Sequence, residues 1–472
     1  MSSALLIDIG STYTKVACFD LERAELLARS QACTTVREDV NLGLQQALEN
    51  IPGWQQADYR LACSSAAGGL RIAAIGLVPG LTAEAARRAA LGAGSRVVKT
   101  CSYELTESDI AELESLAADV ILLAGGTDGG NQEIILHNAG LLADSKVQEP
   151  ILVAGNRSAA DRVAELLDKG EKEFYLTENV MPELEKLNIE PARQKIREIF
   201  LERIVKARGL DRVKELIDEV VMPTPAAVLR AAEILARGTS EKEGWGELMV
   251  VDIGGATTDV HSAAAGTPTR SGVSQRGLEE PFLKRTVEGD LGMRYCAGDL
   301  FQAVKPKRWQ QIYQDLYNKE LELQDLEDYA EKICQQTEYL PVSQEETELE
   351  NMLGREAVRL ATSRHAGSLR TIYTPQGASF IQEGKDLTGI KKVIGTGGIV
   401  VHNQNPELVL AGVLQENQLE EEKLTPLAPD FYLDDDYLLA AAGLLAEVEA
   451  EAALLILQKY LKEIDQGEKN QP

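Results

Sequence analysis

Apolar residues along the chain fall into short runs, and two of these runs continue in the same way. Ala4–Ile9 leads through a Gly-Ser-Thr turn into a second apolar run, Thr14–Phe19. Leu248–Val260 repeats this order, with an apolar run, an aspartate, two glycines, two threonines and another apolar run. Two apolar runs joined by a short glycine-containing turn indicate a buried β-hairpin. The pattern therefore predicts two similar hairpins in distant parts of the chain.

Further strand-like runs alternate with helical patterns in the first half of the chain, which predicts an α/β fold. These runs are Arg60–Cys63, Ile72–Ile75, Val97–Lys99, Val120–Ala124 and Ile151–Ala154. The glycine-rich segments Ile121–Asn131 and Pro150–Arg157 predict a small Rossmann-like subdomain, although the Gly-x-Gly-x-x-Gly fingerprint is absent. The first of them is either a loop that binds a ligand or partner, or a plain turn after a core strand.

Helical patterns dominate two other regions. Pro191–Arg208 and Leu210–Val221 each have a charged and an apolar face, which is typical of surface helices. Asp434–Glu463 predicts one long closing helix, whose first acids suit the positive end of the helix dipole. The predicted division is a first lobe over 1–228 with an inserted subdomain at about 100–220, a second lobe over 245–433, and a C-terminal helix over 434–472 that returns to the first lobe.

The composition excludes several classes of partner. The 472 residues carry a net charge of −27, with a pI near 4.7, so the protein repels nucleic acid and anionic membranes. We expect no secretory signal, because the first residues lack a basic region followed by an apolar stretch, and no membrane span, because no apolar run is long enough. Its six cysteines include no Cys-x-x-Cys pair, and its four histidines are too scattered for a metal cluster. We therefore expect a cytoplasmic protein with free thiols.

The two hairpins contain the residue types that bind a metal-complexed triphosphate. Asp8 and Asp252, 244 positions apart (252 − 8), each stand near a strand end, where a carboxylate can hold hydrated Mg²⁺. Both are predicted to be catalytic residues and metal ligands. Glycines let the backbone approach an anion, and successive amides and hydroxyls can point at phosphate oxygens. The candidate nucleotide ligands are Gly10, Ser11, Thr12, Tyr13, Lys15, Gly254, Gly255, Thr257 and Thr258.

Other segments extend this constellation. Val221–Leu229 and Ala440–Ala446 predict helices of small residues, which can approach each other closely and would suit a hinge between lobes. Gly395, Gly397 and Gly398 follow a predicted strand, where bare backbone could receive a base and a ribose. We predict an adenosine site there.

Three charged residues have open roles. Glu288 or Asp290 could approach the metal or its water, and the alternative for Asp290 is a helix cap. Arg364 either stacks on adenine or lies on the surface at a helix end.

The order of phosphate hairpin, small-residue helix, second phosphate hairpin, adenosine turn and closing helix resembles the superfamily of actin, sugar kinases and heat-shock chaperone ATPases. More narrowly, IDIGSTYTK, ILLAGGTDGGN, TVEGDLGMR and VIGTGGIVV are similar to the MutL/GlmL family, accessory proteins of adenosylcobalamin-dependent glutamate mutase. The resemblance implies a two-lobed actin-like (ribonuclease H-like) α/β fold with an inserted α/β subdomain. It also implies ATP and Mg²⁺ as cofactors and a reactivating chaperone that exchanges damaged cobalamin in a partner mutase.

One position departs from the heat-shock pattern. Met222 stands where that branch usually has an acid that helps to position the attacking water, and neither Asp218 nor Glu219 matches it residue by residue. We therefore expect slow hydrolysis, which suits a switch better than a metabolic kinase. A small-molecule kinase, an ATP-dependent hydrolase of the same fold and an actin-like scaffold remain alternatives, and the sequence leaves both a monomer and a homodimer open.

Overall fold

The chain divides into two compact units. The computed structural model describes residues 2–10, 13–34, 40–65, 70–207, 218–374, 377–416 and 422–465. Unit 1 comprises residues 1–234, 277–279 and 439–456, and unit 2 comprises residues 235–276, 280–438 and 457–472. The lobe limits predicted from the sequence stay predictions.

Strands and helices alternate through both units. The strands of unit 1 are β1 Ser3–Ile9, β2 Tyr13–Asp20, β3 Glu25–Cys33, β4 Tyr59–Ser64, β5 Arg71–Gly76, β6 Arg96–Ser102, β7 Val120–Leu123, β8 Ile151–Val153, β9 Phe174–Leu176 and β10 Glu219–Pro223. Those of unit 2 are β11 Leu248–Ile253, β12 Thr258–Ala263, β13 Val273–Arg276, β14 Leu283–Glu288, β15 Ser368–Thr374, β16 Gly377–Glu383, β17 Lys392–Thr396, β18 Glu422–Lys423, β19 Asp430–Leu433 and β20 Lys462–Glu463. The helices are α1 Val40–Glu49, α2 Glu84–Gly92, α3 Glu107–Ser115, α4 Glu133–Asp144, α5 Ala160–Lys169, α6 Glu190–Ala207, α7 Thr224–Arg237, α8 Ala297–Ala303, α9 Pro306–Tyr317, α10 Leu323–Gln335, α11 Gln344–His365, α12 Gly398–Val401, α13 Pro406–Leu410, α14 Leu439–Leu445 and α15 Ala450–Tyr460.

The two hairpins are the centres of two sheets with the same strand order. In unit 1 the order is β10-β4-β1-β2-β3, with β1 antiparallel to β2 and parallel to β4. In unit 2 it is β14-β12-β11-β17-β19-β20, with β11 antiparallel to β12 and parallel to β17. The strands of each sheet can be numbered by their order along the chain, leaving out the short edge strand β20. Across both sheets the order is then third, second, first, fourth and fifth. This repeated mixed sheet confirms the predicted ribonuclease H-like fold class.

The inserted subdomain of unit 1 is a separate parallel sheet. Its order is β6-β5-β7-β8-β9, and its strands run from Arg71 to Leu176. It therefore begins upstream of residue 100, where the sequence analysis placed the start of the insertion. Helices α2 and α6 pack on one face, and α3, α4 and α5 pack on the other. This doubly wound arrangement agrees with the predicted Rossmann-like subdomain.

Two helix predictions are wrong. The predicted helix over Leu210–Val221 ends in strand β10, while residues 208–217 lie outside the described part of the chain. The closing segment forms two helices, α14 and α15, instead of one. Between them, Glu447 pairs with Arg230 at 2.9 Å and Glu449 accepts a hydrogen bond from Tyr59 at 3.1 Å, so contacts with the rest of unit 1 hold the turn.

The two predicted small-residue helices are in backbone contact within unit 1. A side chain at Gly443 of α14 would collide with the carbonyl oxygen of Ala227 in α7. Only glycine permits this approach, which is why a sequence of small residues is needed there. In the ranges that the structure describes, we find no helix that is long and apolar enough to cross a membrane.

Candidate functional site

The first hairpin forms a tight turn just after Asp8, the penultimate residue of β1. The Gly10 amide donates to the Tyr13 carbonyl at 3.0 Å, and a Cβ on Gly10 would lie only 2.6 Å from that oxygen. The turn therefore requires glycine at this position. The predicted ligands Ser11 and Thr12 lie outside the described residues.

Asp8 is held by two donors, one from a helix and one from the neighbouring strand. Thr224, the first residue of α7, donates its hydroxyl proton to Asp8 Oδ1 at 2.7 Å. The thiol of Cys63 on β4 donates to the same oxygen at 3.5 Å. Burial and the nearby Asp8 carboxylate raise the pKa of Cys63 well above its usual value, so this thiol stays protonated and can only be a weak donor. These contacts fix the direction of the carboxylate and use one of its two oxygens.

Lys15 lies directly opposite Asp8 in the β1–β2 pairing. Residues that face each other across antiparallel strands have neighbouring side chains on the same face of the sheet. A positive and a negative side chain therefore stand together at the first turn. Tyr13, the other predicted ligand of this strand, is 39% exposed at the end of the turn.

The second hairpin has the same turn, held by a following segment. The Gly254 amide donates to the Thr257 carbonyl at 2.9 Å, as Gly10 does to Tyr13. The carbonyls of Gly254 and Gly255 accept from the amides of Met293 and Arg294 at 3.0 and 2.8 Å. These bonds turn both carbonyls towards the 293–294 segment.

Asp252 lies beside two further polar residues of unit 2. Thr396 of β17 is opposite Asp252 in the parallel pairing, and its hydroxyl donates to Asp434 at 3.3 Å. Asp434 is buried and accepts the Leu438 amide at 2.7 Å. Burial first, and then the charges of Asp252 and Asp434, raise the pKa of Tyr437. The end of β11 therefore gathers two carboxylates and a tyrosine.

The two threonines of the second turn have different environments. Thr257 donates its hydroxyl proton to Asp259 Oδ2 at 2.9 Å. Thr258 is fully buried and donates to the Leu291 carbonyl at 2.6 Å. Thr258 therefore uses its hydroxyl proton within unit 2. Its hydrogen bond holds Leu291, close to the 293–294 segment that bonds to the turn.

The predicted adenosine turn lies directly against the end of β11. Gly397 has φ of 98°, and a Cβ there would collide with the Ile253 carbonyl oxygen. Gly395 is surrounded by apolar side chains of Leu410 and Val400, whereas Gly398 is exposed and has open space where a Cβ would be. Of the three predicted glycines, Gly398 is the one whose backbone faces open space.

The three charged residues with open roles form an ion-pair cluster of their own. Arg364 donates to both oxygens of Asp290 at 2.7 and 2.8 Å and to Glu288 at 2.6 Å. The hydrogen bond to Asp290 is the main cause that raises the pKa of Arg364. The predicted stacking of Arg364 on adenine therefore competes with a bidentate carboxylate pair.

Met222 is buried in β10, opposite Cys63, so it supplies no acid there.

The donor set fits hydrated Mg²⁺. No group of three or more His, Cys, Asp or Glu side chains that could enclose a metal occurs within the described ranges. Mg²⁺ usually takes one or two carboxylates and keeps several waters and phosphate oxygens. Asp8, next to the end of β1, and Asp252, next to the end of β11, are each a carboxylate of the kind that such an ion takes.

Sequence reasoning missed several residues that lie around the two hairpin turns. Thr224 and Cys63 come from strands or helices distant in sequence from Asp8, and Asp434 was interpreted only as a helix start. Asp259 had a stronger signal, since it follows the second turn at the position that Lys15 takes after the first (15 + 244 = 259). Aligning the two hairpins residue by residue would have found it.

The repeated sheet with a glycine turn after an aspartate defines an actin-like ATPase-type fold. The chain belongs to the MutL family, because the model for "MutL protein" matches residues 4–461. The chain is also 46% identical to the protein MutL of Clostridium tetanomorphum over 470 residues, which cover 98% of this chain and 100% of that protein.

Solved structures with weaker similarity include a dehydratase component, a dehydratase activator and a sugar kinase. Component A of the (R)-2-hydroxyglutaryl-CoA dehydratase of Acidaminococcus fermentans is 11% identical, with a TM-score of 0.30 and coverage of 96% of this chain and 100% of that one. The activator of the 2-hydroxyisocaproyl-CoA dehydratase from Clostridium difficile with bound ADPNP is 10% identical, with a TM-score of 0.30 and coverage of 98% and 99%. Xylulose kinase from Bifidobacterium adolescentis is 12% identical, with a TM-score of 0.31 and coverage of 98% and 95%. Scores this low do not bear on activity.

Proposed function

We propose that this protein is an ATP-dependent reactivating factor for an adenosylcobalamin-dependent mutase, glutamate mutase or a related aminomutase. One observation carries the nucleotide part: the same aspartate, glycine turn and strand order occur twice, in two units of one chain. A triphosphate with its metal needs both an anion-binding turn and a carboxylate. Membership of the MutL family supports the assignment of the mutase as partner.

Each hairpin would contribute a defined part of MgATP binding. Asp8 and Asp252 would orient the waters of the metal, which when bound neutralises charge on the phosphates. The amides of the two turns and Lys15 would receive phosphate oxygens, and the backbone at Gly398 would receive the adenosine. A ligand shifts a conformational equilibrium only through its different affinities for the two states. The γ-phosphate, present in ATP and absent in ADP, would supply that difference for lobe closure.

The expected hydrolysis is slow. Met222, opposite Cys63, offers no base, and the Cys63 thiol has a raised pKa. A long-lived ATP state suits a protein that must hold a partner apart while its cofactor exchanges.

Calorimetry tests the nucleotide part first. We expect wild-type protein to bind MgATP and MgADP, and Asp8→Ala and Asp252→Ala each to weaken MgATP binding at least tenfold. Glu331→Ala is the matched control, because it removes one exposed carboxylate from α10 and should leave the affinity unchanged. Equal affinity in all four proteins would contradict the proposed site.

The partner assignment needs a second assay. Inactivated mutase is incubated with this protein, MgATP and fresh adenosylcobalamin, and recovery of mutase activity is followed. Recovery is expected with wild type and not with Asp252→Ala. If wild type restores no activity to glutamate mutase or a related aminomutase, the reactivating role is wrong even when nucleotide binds.

A further inference from the structure

A buried ion pair lies under the second phosphate turn. Asp259 on β12 and Arg285 on β14 are only 8% and 6% exposed. Arg285 donates from Nε at 2.9 Å and from Nη2 at 2.6 Å to Oδ1 of Asp259. The other carboxylate oxygen, Oδ2, accepts the hydroxyl proton of Thr257 at 2.9 Å. Arg285, Asp259 and Thr257 thus form a continuous chain from the sheet interior to the turn.

The direction of these hydrogen bonds decides what Thr257 can offer a ligand. A threonine hydroxyl has one proton and two lone pairs, and an ionised carboxylate only accepts. Since Asp259 takes the proton of Thr257, lone pairs alone remain for a ligand. A phosphate oxygen is also an acceptor, so it gains no hydrogen bond from this hydroxyl. A metal ion, or a water bound to one, is the matching partner.

We infer that Thr257 receives Mg²⁺ or a metal-bound water, that it does not donate to phosphate, and that Asp259 and Arg285 are positioning residues that impose this role. The inference rests on the proposed MgATP function and changes the role that sequence reasoning gave to Thr257. At the equivalent position of the first turn stands Lys15, a cation in place of the carboxylate. At this position of the two hairpins the roles are therefore divided, with Lys15 serving phosphate and Asp259 directing Thr257 to the metal.

The inference predicts opposite effects for two substitutions. Thr257→Val keeps the shape and removes the acceptor, so the free Mg²⁺ needed for half-maximal ATP binding should rise about tenfold, while the affinity for metal-free ATP stays within about twofold. Thr257→Ser keeps the hydroxyl and should restore the wild-type Mg²⁺ dependence. In Asp259→Asn the amide oxygen should turn to Arg285, leaving the NH₂ group to donate to Thr257. The hydroxyl proton is then free for phosphate, so metal-free ATP should bind more tightly than in wild type.

The measurement is ATP affinity by calorimetry on the full chain at a series of free Mg²⁺ concentrations. Thermal unfolding accompanies each variant, and the valine–serine comparison decides the question if Asp259→Asn does not fold. A Thr257→Val protein that loses affinity equally with and without Mg²⁺ would show that the hydroxyl donates to phosphate, and the inference would be wrong. Unchanged binding in Thr257→Val would equally overturn it. If wild type binds no ATP at any Mg²⁺ concentration, the proposed function itself fails, which is a distinct result.

Discussion

The hairpin of unit 1 and the hairpin of unit 2 have the same backbone but different chemistry. Both turns close through an amide-to-carbonyl bond, of 3.0 Å in unit 1 and 2.9 Å in unit 2. Lys15 stands five residues after Gly10. Five residues after Gly254 stands Asp259, which is paired with Arg285. A duplicated fold can thus keep its strand order while equivalent positions of its two copies differ, and we propose that Lys15 serves phosphate and Thr257 serves the metal.

The strand neighbours of the two aspartates differ in the same sense. Cys63 pairs with Asp8 and has the buried Met222 on its other side, whereas Thr396 pairs with Asp252 and donates to the buried Asp434. In unit 1 the residue next to β4 is Met222, where the heat-shock pattern has an acid. In unit 2 the residue next to β17 is an acid, Asp434. Carboxylates are gathered in unit 2, which agrees with a division of labour between the turns.

The largest expected effect on stability concerns the contacts of the last carbonyl of each unit's first strand. In unit 1 the Ile9 carbonyl accepts the Ser65 amide at 2.9 Å, whereas in unit 2 Gly397 packs against the Ile253 carbonyl with φ of 98°. Gly397→Ala adds both a collision and backbone strain, so the free energy of unfolding should fall by about 3 kcal/mol. Urea denaturation measures this.

Gly398→Ala is the control for that prediction. It adds the same methyl group one residue later, where no heavy atom lies within 4 Å, at the start of α12. Its effect should stay within about 0.5 kcal/mol. Similar losses in both variants would mean that the close approach to Ile253 does not limit the backbone.

The two turns themselves should respond unequally to alanine. A Cβ would lie 2.6 Å from the Tyr13 carbonyl oxygen in Gly10→Ala, but 3.1 Å from the Thr257 carbonyl oxygen in Gly254→Ala. The first substitution forces the turn to open, at a cost of about 2 kcal/mol, while small shifts can absorb the second for less than about 1 kcal/mol. Thermal unfolding of the two variants side by side checks the order, and a larger loss for Gly254→Ala would contradict it.

The charge difference between the turns predicts a difference in phosphate binding. Lys15→Gln should weaken ATP about tenfold, or about 1.4 kcal/mol, with and without Mg²⁺, because a charge-assisted contact to phosphate is lost. Lys307→Gln makes the same change of charge at an exposed position of α9 and is the control. Calorimetry measures both. If the loss in Lys15→Gln appeared only in the presence of Mg²⁺, Lys15 would act through the metal, and the proposed division would be incorrect.

The sequence predicted the backbone of this arrangement better than its side-chain partners. The two hairpins followed from a local pattern of apolar residues, aspartate and glycine, whereas the ribonuclease H-like class was implied by the resemblance to the actin superfamily. The side-chain partners come from distant parts of the sequence. Thr224 donates a hydrogen bond to Asp8, and Arg364 donates to Asp290. Pairing across strands depends on register, which no local pattern encodes.

The failed helix predictions have the same cause. Asp434–Glu463 has helical composition throughout, yet the turn between α14 and α15 is held by Arg230 and Tyr59, which lie more than 200 residues away. Leu210–Val221 has helical periodicity, but its end is needed as strand β10 beside β4. Tertiary contacts outweigh propensities of a few tenths of a kcal/mol per residue.

The smallest effect that we expect lies beside the ion pair of unit 2. His261 is 1% exposed, and its Nδ1 has no hydrogen-bond partner in the part of the chain that the structure describes. Burial, and then the charge of Arg285, lower the pKa of His261 to about 3. An unfolded histidine has a pKa near 6.5, so between about pH 6.5 and pH 3 the unfolded chain binds a proton that the folded chain does not. This histidine therefore stabilises the fold fully above pH 6.5 and loses that contribution as the pH falls. From pH 7 to 5.5 wild type should lose about 1 kcal/mol more of its unfolding free energy than His261→Phe, as measured by urea denaturation. Val260→Ala, which does not titrate, should be less stable at every pH but keep the wild-type slope. Parallel curves for wild type and His261→Phe would mean that the ring takes up its proton at the same pH in the folded and the unfolded chain, and that neither burial nor the charge of Arg285 lowers its pKa.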